Sequence, residues 1–340
     1  MPCHRAIRIA PLPVFEPPLV APAPLIALYL LALPLGLLLD HTFGEPRRWH
    51  PLIGFGRAAD TLESALRNGA PGHPAGNRLR GSLAWAVLVL PLPLLFFSLL
   101  AALPWQAALA GHGLLLWFAL GGRSLAEHAE AVALPLGAGN LEEARTRIGW
   151  MVSRQTDALG ADEIARATVE TTLENGNDAV FAALFWCALL GGPGALAFRF
   201  ANTLDAMWGY RDERRLYFGW CAARADDALN LIPARLTALT YALLGQGRRA
   251  LACWRTQAGA WSSPNAGPVM AAGAGALGVS IGGNAIYHGR LEARPALGSG
   301  PAPTATDIGR ALLLVQRGAG LWGGLALIAG TLALAGVTHA

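Results

Sequence analysis

The chain has 340 residues and a mass of 35.6 kDa, with 54% hydrophobic residues, 14% charged residues and a mean hydropathy of +0.39. Soluble domains carry about 25% charge, so this composition excludes an ordinary soluble protein, a coiled coil and extensive disorder, and points to an integral membrane protein. The net charge of +4 comes from 26 basic residues that are all Arg. With no Lys, Schiff-base, pyridoxal and Walker A chemistry are excluded, and no basic run with interleaved aromatics suggests nucleic acid.

Residues 1–23 are Pro-rich, lack the continuous apolar core of a signal peptide and read as a disordered extension. Residues 24–340 read as a single membrane-embedded unit. Residues 24–39 form an apolar segment, and 82–103 is the clearest membrane span, about 22 residues without a charge. Residues 107–120 suit the return limb of a hairpin. Residues 179–198 are apolar but interrupted by Gly191-Gly192-Pro193-Gly194, which predicts two half-helices or a re-entrant element. Residues 236–244 are short for a span, and 319–337 make a final one. The expected fold class is therefore all-α, a polytopic helical bundle with helical cytosolic insertions.

Charge is concentrated between these segments. Residues 40–81, 121–178 and 199–235 hold 19 of the 22 acidic residues, and such stretches belong in water or around a polar cavity. Arg-rich 40–81 places that side in the cytoplasm. Asn140–Met151 and Asp162–Leu173 read as soluble amphipathic helices. Cys3, Cys187, Cys221 and Cys253 are far apart and form no C-x-x-C, so they read as structural.

Several polar clusters are able to carry chemistry. Asp40–Arg48, with His50 and Arg57, is either an interfacial cap or a phosphate-holding loop. Glu170, Glu174 and Asp178 are spaced i, i+4, i+8; three stacked carboxylates repel unless a cation or an Arg faces them. Their two readings are a solvated acidic face and oxygen ligation of Mg²⁺. Asn175-Gly176-Asn177 is placed to break that helix. Asn202 and Asp205, i and i+3, follow an apolar segment, with Tyr210 just beyond. Arg224, Asp226, Asp227, Asn230 and Arg235 group acids, an amide and arginines in an apolar setting, which is costly unless they match a ligand or one another. Ser262–Gly267, including Asn265, and Gly282-Gly283-Asn284 mark loops.

The order of these clusters resembles the CobD/CbiB family of cobalamin biosynthesis, adenosylcobinamide-phosphate synthase. The matching stretches are LLLDHTFGEPRRWHPLIGFGR (37–57), GRSLAEHA (122–129), ARATVETTLENGNDAVFAALFW (165–186), ANTLDAMWGYRDER (201–214), YFGWCAARADDALNLIPARLTAL (217–239) and SSPNAG with GALGVSIGGNAIYHG. The resemblance implies a ligase in the bacterial inner membrane, with its site facing the cytoplasm. With ATP and Mg²⁺ it joins a carboxylate of the corrinoid adenosylcobyric acid to (R)-1-amino-2-propanol or its O-phosphate. On that basis Asp226, Asp227, Asn230 and Arg235 are expected to be catalytic. Asn202, Asp205, Arg154, Arg224, Tyr210 and Asn265 are expected to bind substrate, and Glu170, Glu174 and Asp178 to hold the metal. Expected partners are the two substrates, the lipid bilayer and other membrane enzymes of late corrinoid assembly. Gln155, Pro268 and Met270 depart from the family pattern. The rival readings are a membrane transporter, expected to show ionisable residues inside its spans, and a non-catalytic corrinoid-binding paralogue.

Overall fold

The computed structural model describes residues 22–45, 51–67, 73–209, 215–287 and 290–338. Fourteen α-helices are present among them, with two three-residue antiparallel ribbons, Ser280–Gly282 with Ala296–Gly298 and Ala285–Tyr287 with Arg290–Glu292. The ribbons occupy part of the stretch expected to be loop, and Gly282 and Gly283, both at φ near +80°, turn the chain between them.

Four helical stretches are long and apolar enough to cross a membrane: Leu25–Phe43, Pro74–Ala101, Ala161–Trp208 and Ala305–Gly336. They overlap the segments expected at 24–39, 82–103, 179–198 and 319–337 to within two residues at the ends where those segments run past them, and the last helix starts well before the expected position. The chain is an all-α polytopic membrane protein. The other two segments, in α5 (Trp105–Ala119) and α11 (Leu231–Leu244), are helical but short.

Small residues set the spacing of the bundle. Gly36 of α1 (Pro22–Phe43) lies under Leu116 of α5, and Gly113 of α5 lies under Leu35. Gly330 and Gly323 of α14 (Ala305–Thr338) receive Leu31 and Leu37 of α1 in the same way. Helices in lipid lack a hydrophobic driving force toward one another, so close contact of this kind supplies the attraction.

The segment after α1 is locked. Asp40 Oδ2 accepts the backbone N–H of Arg123 at the start of α6 (Gly122–Gly137) at 3.0 Å. The Arg123 guanidinium donates to the carbonyls of His41 (3.0 Å) and Thr42 (2.8 Å). The Asp40 region thus acts as a helix-capping joint. Its companions Arg47, Arg48 and His50 lie outside the described residues.

The expectation that Asp162–Leu173 is an exposed amphipathic helix is corrected. α8 (Ala161–Gly176) is buried along most of its length, with Ile164, Ala165, Ala167, Thr168, Val169, Thr172 and Leu173 inaccessible. Its polar residues are compatible with burial because Thr168 and Thr172 hydrogen-bond back to Ile164 and Thr168 carbonyls at 2.7 Å. α8 continues through a π-helical turn, Asn177–Phe181, into α9 (Ala182–Trp208). The expected interruption is present at Gly191, whose φ of 69° and ψ of −170° are open essentially to glycine alone. His112 of α5 fills it: its Nδ1 accepts the Gly192 N–H at 2.9 Å, and its ring packs edge-on against Tyr29 at 5.0 Å.

α9 joins two cores. Its first half packs with Leu173, Phe181, Tyr241 and Leu314, and its second half packs Phe200, Leu204 and Trp208 against Ala84 and Phe218.

Candidate functional site

α10 (Trp220–Leu229) and α11 meet at Asn230, beside the π turn and the second half of α9. A π turn adds a residue to the helix register and re-aims the side chains around it; such turns recur at functional sites. Here it directs Asn177 and Asp178 toward α10. The result is a cavity of about 230 Å³ lined by Glu174, Asn177, Asp178, Asn202, Asp205, Asp226, Asp227, Asn230, Ser263 and Asn265.

A chain of carboxamides holds the cavity in shape. Asn177 Nδ2 donates to Asp178 Oδ1 and to Asn230 Oδ1, both at 2.8 Å, and Asn177 Oδ1 accepts the Thr237 hydroxyl at 2.9 Å. Asn230 Nδ2 and Asn202 Nδ2 each donate to Asp226 at 3.1 Å, one to each carboxylate oxygen. Asn265 Nδ2 donates to the Asp227 carbonyl at 2.8 Å, and its own Oδ1 accepts from Arg235. Asn177 and Asn230 are each 2% exposed, so every polar atom must find a partner.

Five carboxylates face this space. Arg224 pairs with Asp227 at 3.0 Å, on the half-exposed rim. Burial pushes the Asp226 carboxyl above its ordinary 3.8; the Asn202 and Asn230 hydrogen bonds oppose that rise and the neighbouring charge of Asp227 adds to it. Crowded carboxylates of this kind favour a cation or a proton.

A second cavity of about 170 Å³ adjoins the first and shares Glu174 with it. Its lining carries two arginines beside two carboxylates. Glu170, 5% exposed, pairs with Arg154 at 3.0 Å and Arg294 at 3.1 Å and accepts the Gly282 N–H at 2.6 Å. Two arginines thus converge on Glu170, and Arg154 Nε has no partner.

The structure therefore sorts the expected residues. It brings together Glu174, Asp178, Asn202, Asp205, Asp226, Asp227, Asn230 and Asn265. Glu170 and Arg154 stand apart in the arginine-lined cavity. Arg235 braces Asn265 and the Leu231 carbonyl and is absent from the cavity lining. Tyr210 lies outside the described residues. Sequence reasoning missed Asn177, Thr237, Ser263 and Arg294. Asn177 reads as a helix breaker in Asn-Gly-Asn, while its role as a hub depends on Asn230 and Thr237, which are more than fifty residues away.

Among the described residues no three His, Cys, Asp or Glu side chains converge as a ready-made metal cage. Mg²⁺ does not require one, because it is commonly held by one or two carboxylates, water and substrate phosphates. The donor set around the acidic cavity fits that pattern.

A profile of the CobD/Cbib protein family matches residues 33–315. The chain belongs to this family. Similar relatives include the cobalamin biosynthesis protein CobD of Chromobacterium violaceum, 57% identical over 312 residues that cover 91% of this chain and 99% of that protein. The protein of the same name from Stutzerimonas stutzeri is 58% identical over 288 residues, covering 84% of this chain and 93% of the relative. The Mycobacterium tuberculosis protein is 40% identical over 296 residues, with 84% and 91% covered. No solved structure matches. The family match spans both cavities and the helices that build them.

Proposed function

We propose that the chain acts in cobalamin biosynthesis as an ATP- and Mg²⁺-dependent amide ligase, joining a carboxylate of adenosylcobyric acid to aminopropanol or its O-phosphate. The observation that carries this reading is the pairing of an acidic cavity with an arginine-lined one across the single residue Glu174. A carboxylate is a poor acyl electrophile. Its oxygen must first attack a phosphoryl group of ATP, and the amine nitrogen then attacks the activated carbonyl as the phosphate leaves. That sequence requires cation ligands beside phosphate-binding cations, and carboxylates in one cavity beside arginines in the next suit it.

In this reading Asp226, Asp227, Glu174 and Asp178 hold the Mg²⁺, which supplies charge neutralisation on the phosphates. Arg154 and Arg294 exchange Glu170 for phosphate oxygens, matching their planar donors. Asn230 and Asn202 keep Asp226 oriented, and Arg235 positions Asn265. The amine must lose a proton before or during attack, and the crowded carboxylates are suited to receive it. In this reading the site faces the cytoplasm across the bacterial inner membrane, which suits a reaction that uses ATP and agrees with the Arg-rich 40–81 segment.

A transporter reading gains support from the ionisable residues along Ala161–Trp208 and the break within it. In transporters, however, broken helix ends face the ligand. Here His112 and Tyr29 fill the Gly191 break. Thirteen residues separate it from Asp178, about 20 Å along a helix. The deciding experiment gives detergent-purified protein ATP, Mg²⁺, adenosylcobyric acid and either amine, with product followed by mass spectrometry. A mass gain equal to amide condensation, lost in Asp227→Ala, supports the ligase. Tight corrinoid binding with no product from either amine favours a non-catalytic paralogue, and corrinoid flux in vesicles favours transport.

A further inference from the structure

A third cavity of about 220 Å³ has no part in the scheme above. It is lined by Glu45, Ser124, His128, Trp150, Asn175 and Arg199, among others, and it shares Met151 with the arginine-lined cavity. It lies along α8 and the π turn: Asn175 and Ala179 line it, while their neighbours Glu174 and Asp178 line the acidic cavity.

Arg199 is under-satisfied there. Its side chain is 17% exposed, its Nε has no partner, and its ion pair with Glu45 is long at 3.5 Å. It also lies within electrostatic reach of Asp178 and Asp40. A buried guanidinium with an unused donor favours an incoming oxyanion. Other features suit a ligand. His128 Nδ1 is engaged by the Ser124 carbonyl at 2.8 Å, which fixes the ring. Gly121 and Ser124, at the start of α6, line the same wall. Trp150 is 62% exposed and carries the Arg147 guanidinium 4.8 Å over its ring.

We propose that this third cavity is an oxyanion subsite for a co-substrate other than ATP, with Arg199 binding a phosphate monoester or a carboxylate. The assignment rests on the ligase reading. Both sources of the anion fit that reaction, the phosphorylated amine and the corrinoid acid.

The test uses full-length protein in detergent and measures initial rates while varying ATP, the acid, the amine and the amine phosphate, for wild type, Arg199→Gln and Arg199→Lys. Loss of one charge-assisted contact predicts a rise in KM of about 10- to 100-fold for one co-substrate in Arg199→Gln, with partial recovery in Arg199→Lys. The KM for ATP stays within about twofold. A rise for the amine phosphate alone identifies a phosphate; a rise for the acid with both amines unchanged identifies a carboxylate. The proposal is overturned if every KM stays put while only kcat or melting temperature falls, or if the KM for ATP rises as well. If wild type forms no amide, the ligase reading fails first. Calorimetric titration of amine phosphate and of acid then decides the subsite: heat that depends on Arg199 retains it, and equal or absent heat removes it.

Discussion

Asp226→Asn is the sharpest probe of the acidic cavity because it removes a charge and almost no volume. Asp226 accepts one hydrogen bond from Asn202 and one from Asn230. An amide at that position turns its NH₂ toward one of those donors, so one bond is lost, at a cost of about 1.5 to 3 kcal/mol. Removing one of five crowded negative charges returns a similar amount, since two charges about 5 Å apart at an effective dielectric of 20 repel by about 3 kcal/mol. The two effects offset each other, and the variant is expected to fold with a melting temperature near that of wild type. Cation affinity has no such offset. A carboxylate about 4 Å from a divalent cation contributes about 8 kcal/mol at that dielectric, and partial exposure to water cuts this to about 2–4 kcal/mol. The expected loss is therefore roughly 30- to 1,000-fold. The assay is Mn²⁺ titration followed by electron paramagnetic resonance, with a non-hydrolysable ATP analogue present, beside the amide-forming assay. Mn²⁺ affinity within about threefold of wild type together with retained amide formation would show that the cavity holds no catalytic cation.

Other perturbations test other parts of the structure. Gly191→Ala forces a Cβ within 2.6 Å of His112 Nδ1 at a positive φ. Strain of about 1–3 kcal/mol plus overpacking should lower the melting temperature and leave Mn²⁺ affinity intact; an unchanged melting temperature would show that the break is not rigid. Glu170→Ala leaves Arg154 and Arg294 buried without their carboxylate, at a cost of about 3–5 kcal/mol, and saturating ATP should recover part of the lost melting temperature. If ATP gives no greater protection than in wild type, phosphates do not bind these arginines. Protonation supplies a further test. Because burial raises the folded-state value of Asp226 above its ordinary 3.8, the stabilisation from its protonation is complete below 3.8 and is lost as pH rises through the folded value. In chelator, the melting temperature of wild type minus that of Asp226→Asn should fall across that window, and a difference that rises there would contradict the assignment.

The spans were legible because a run of apolar residues of sufficient length has few folded outcomes in a chain this poor in charge. The break at 191–194 was legible for a similar reason, since Gly and Pro are the residues that leave the helical register. Asp162–Leu173 misled because Asp162 and Glu163 lie at the start of the helix, Arg166 and Glu170 find partners in other segments, and Thr and Ala residues that tolerate burial fill much of the rest. Periodicity weighs Thr168 and Thr172 as polar, yet their hydroxyls are satisfied by their own helix.

The acidic cavity was half legible. Asp226, Asp227 and Asn230 stand out as an expensive polar group in an apolar setting, and expense of that kind requires a partner. What the local pattern lacks is the identity of the partner. Asn177 reaches Asn230 across 53 residues and Thr237 across 60, so its importance is a property of the folded chain. The i, i+4, i+8 spacing of Glu170, Glu174 and Asp178 raised the question of what relieves their repulsion, and the structure answers it differently for each. Glu170 takes two arginines from distant segments, Asp178 takes Asn177, and Glu174 stands on the boundary between the two cavities. That division sets carboxylates beside arginines along one buried helix, so the repulsion built into α8 and the π turn is relieved on one side by arginine, and in the proposed reading a cation would relieve it on the other.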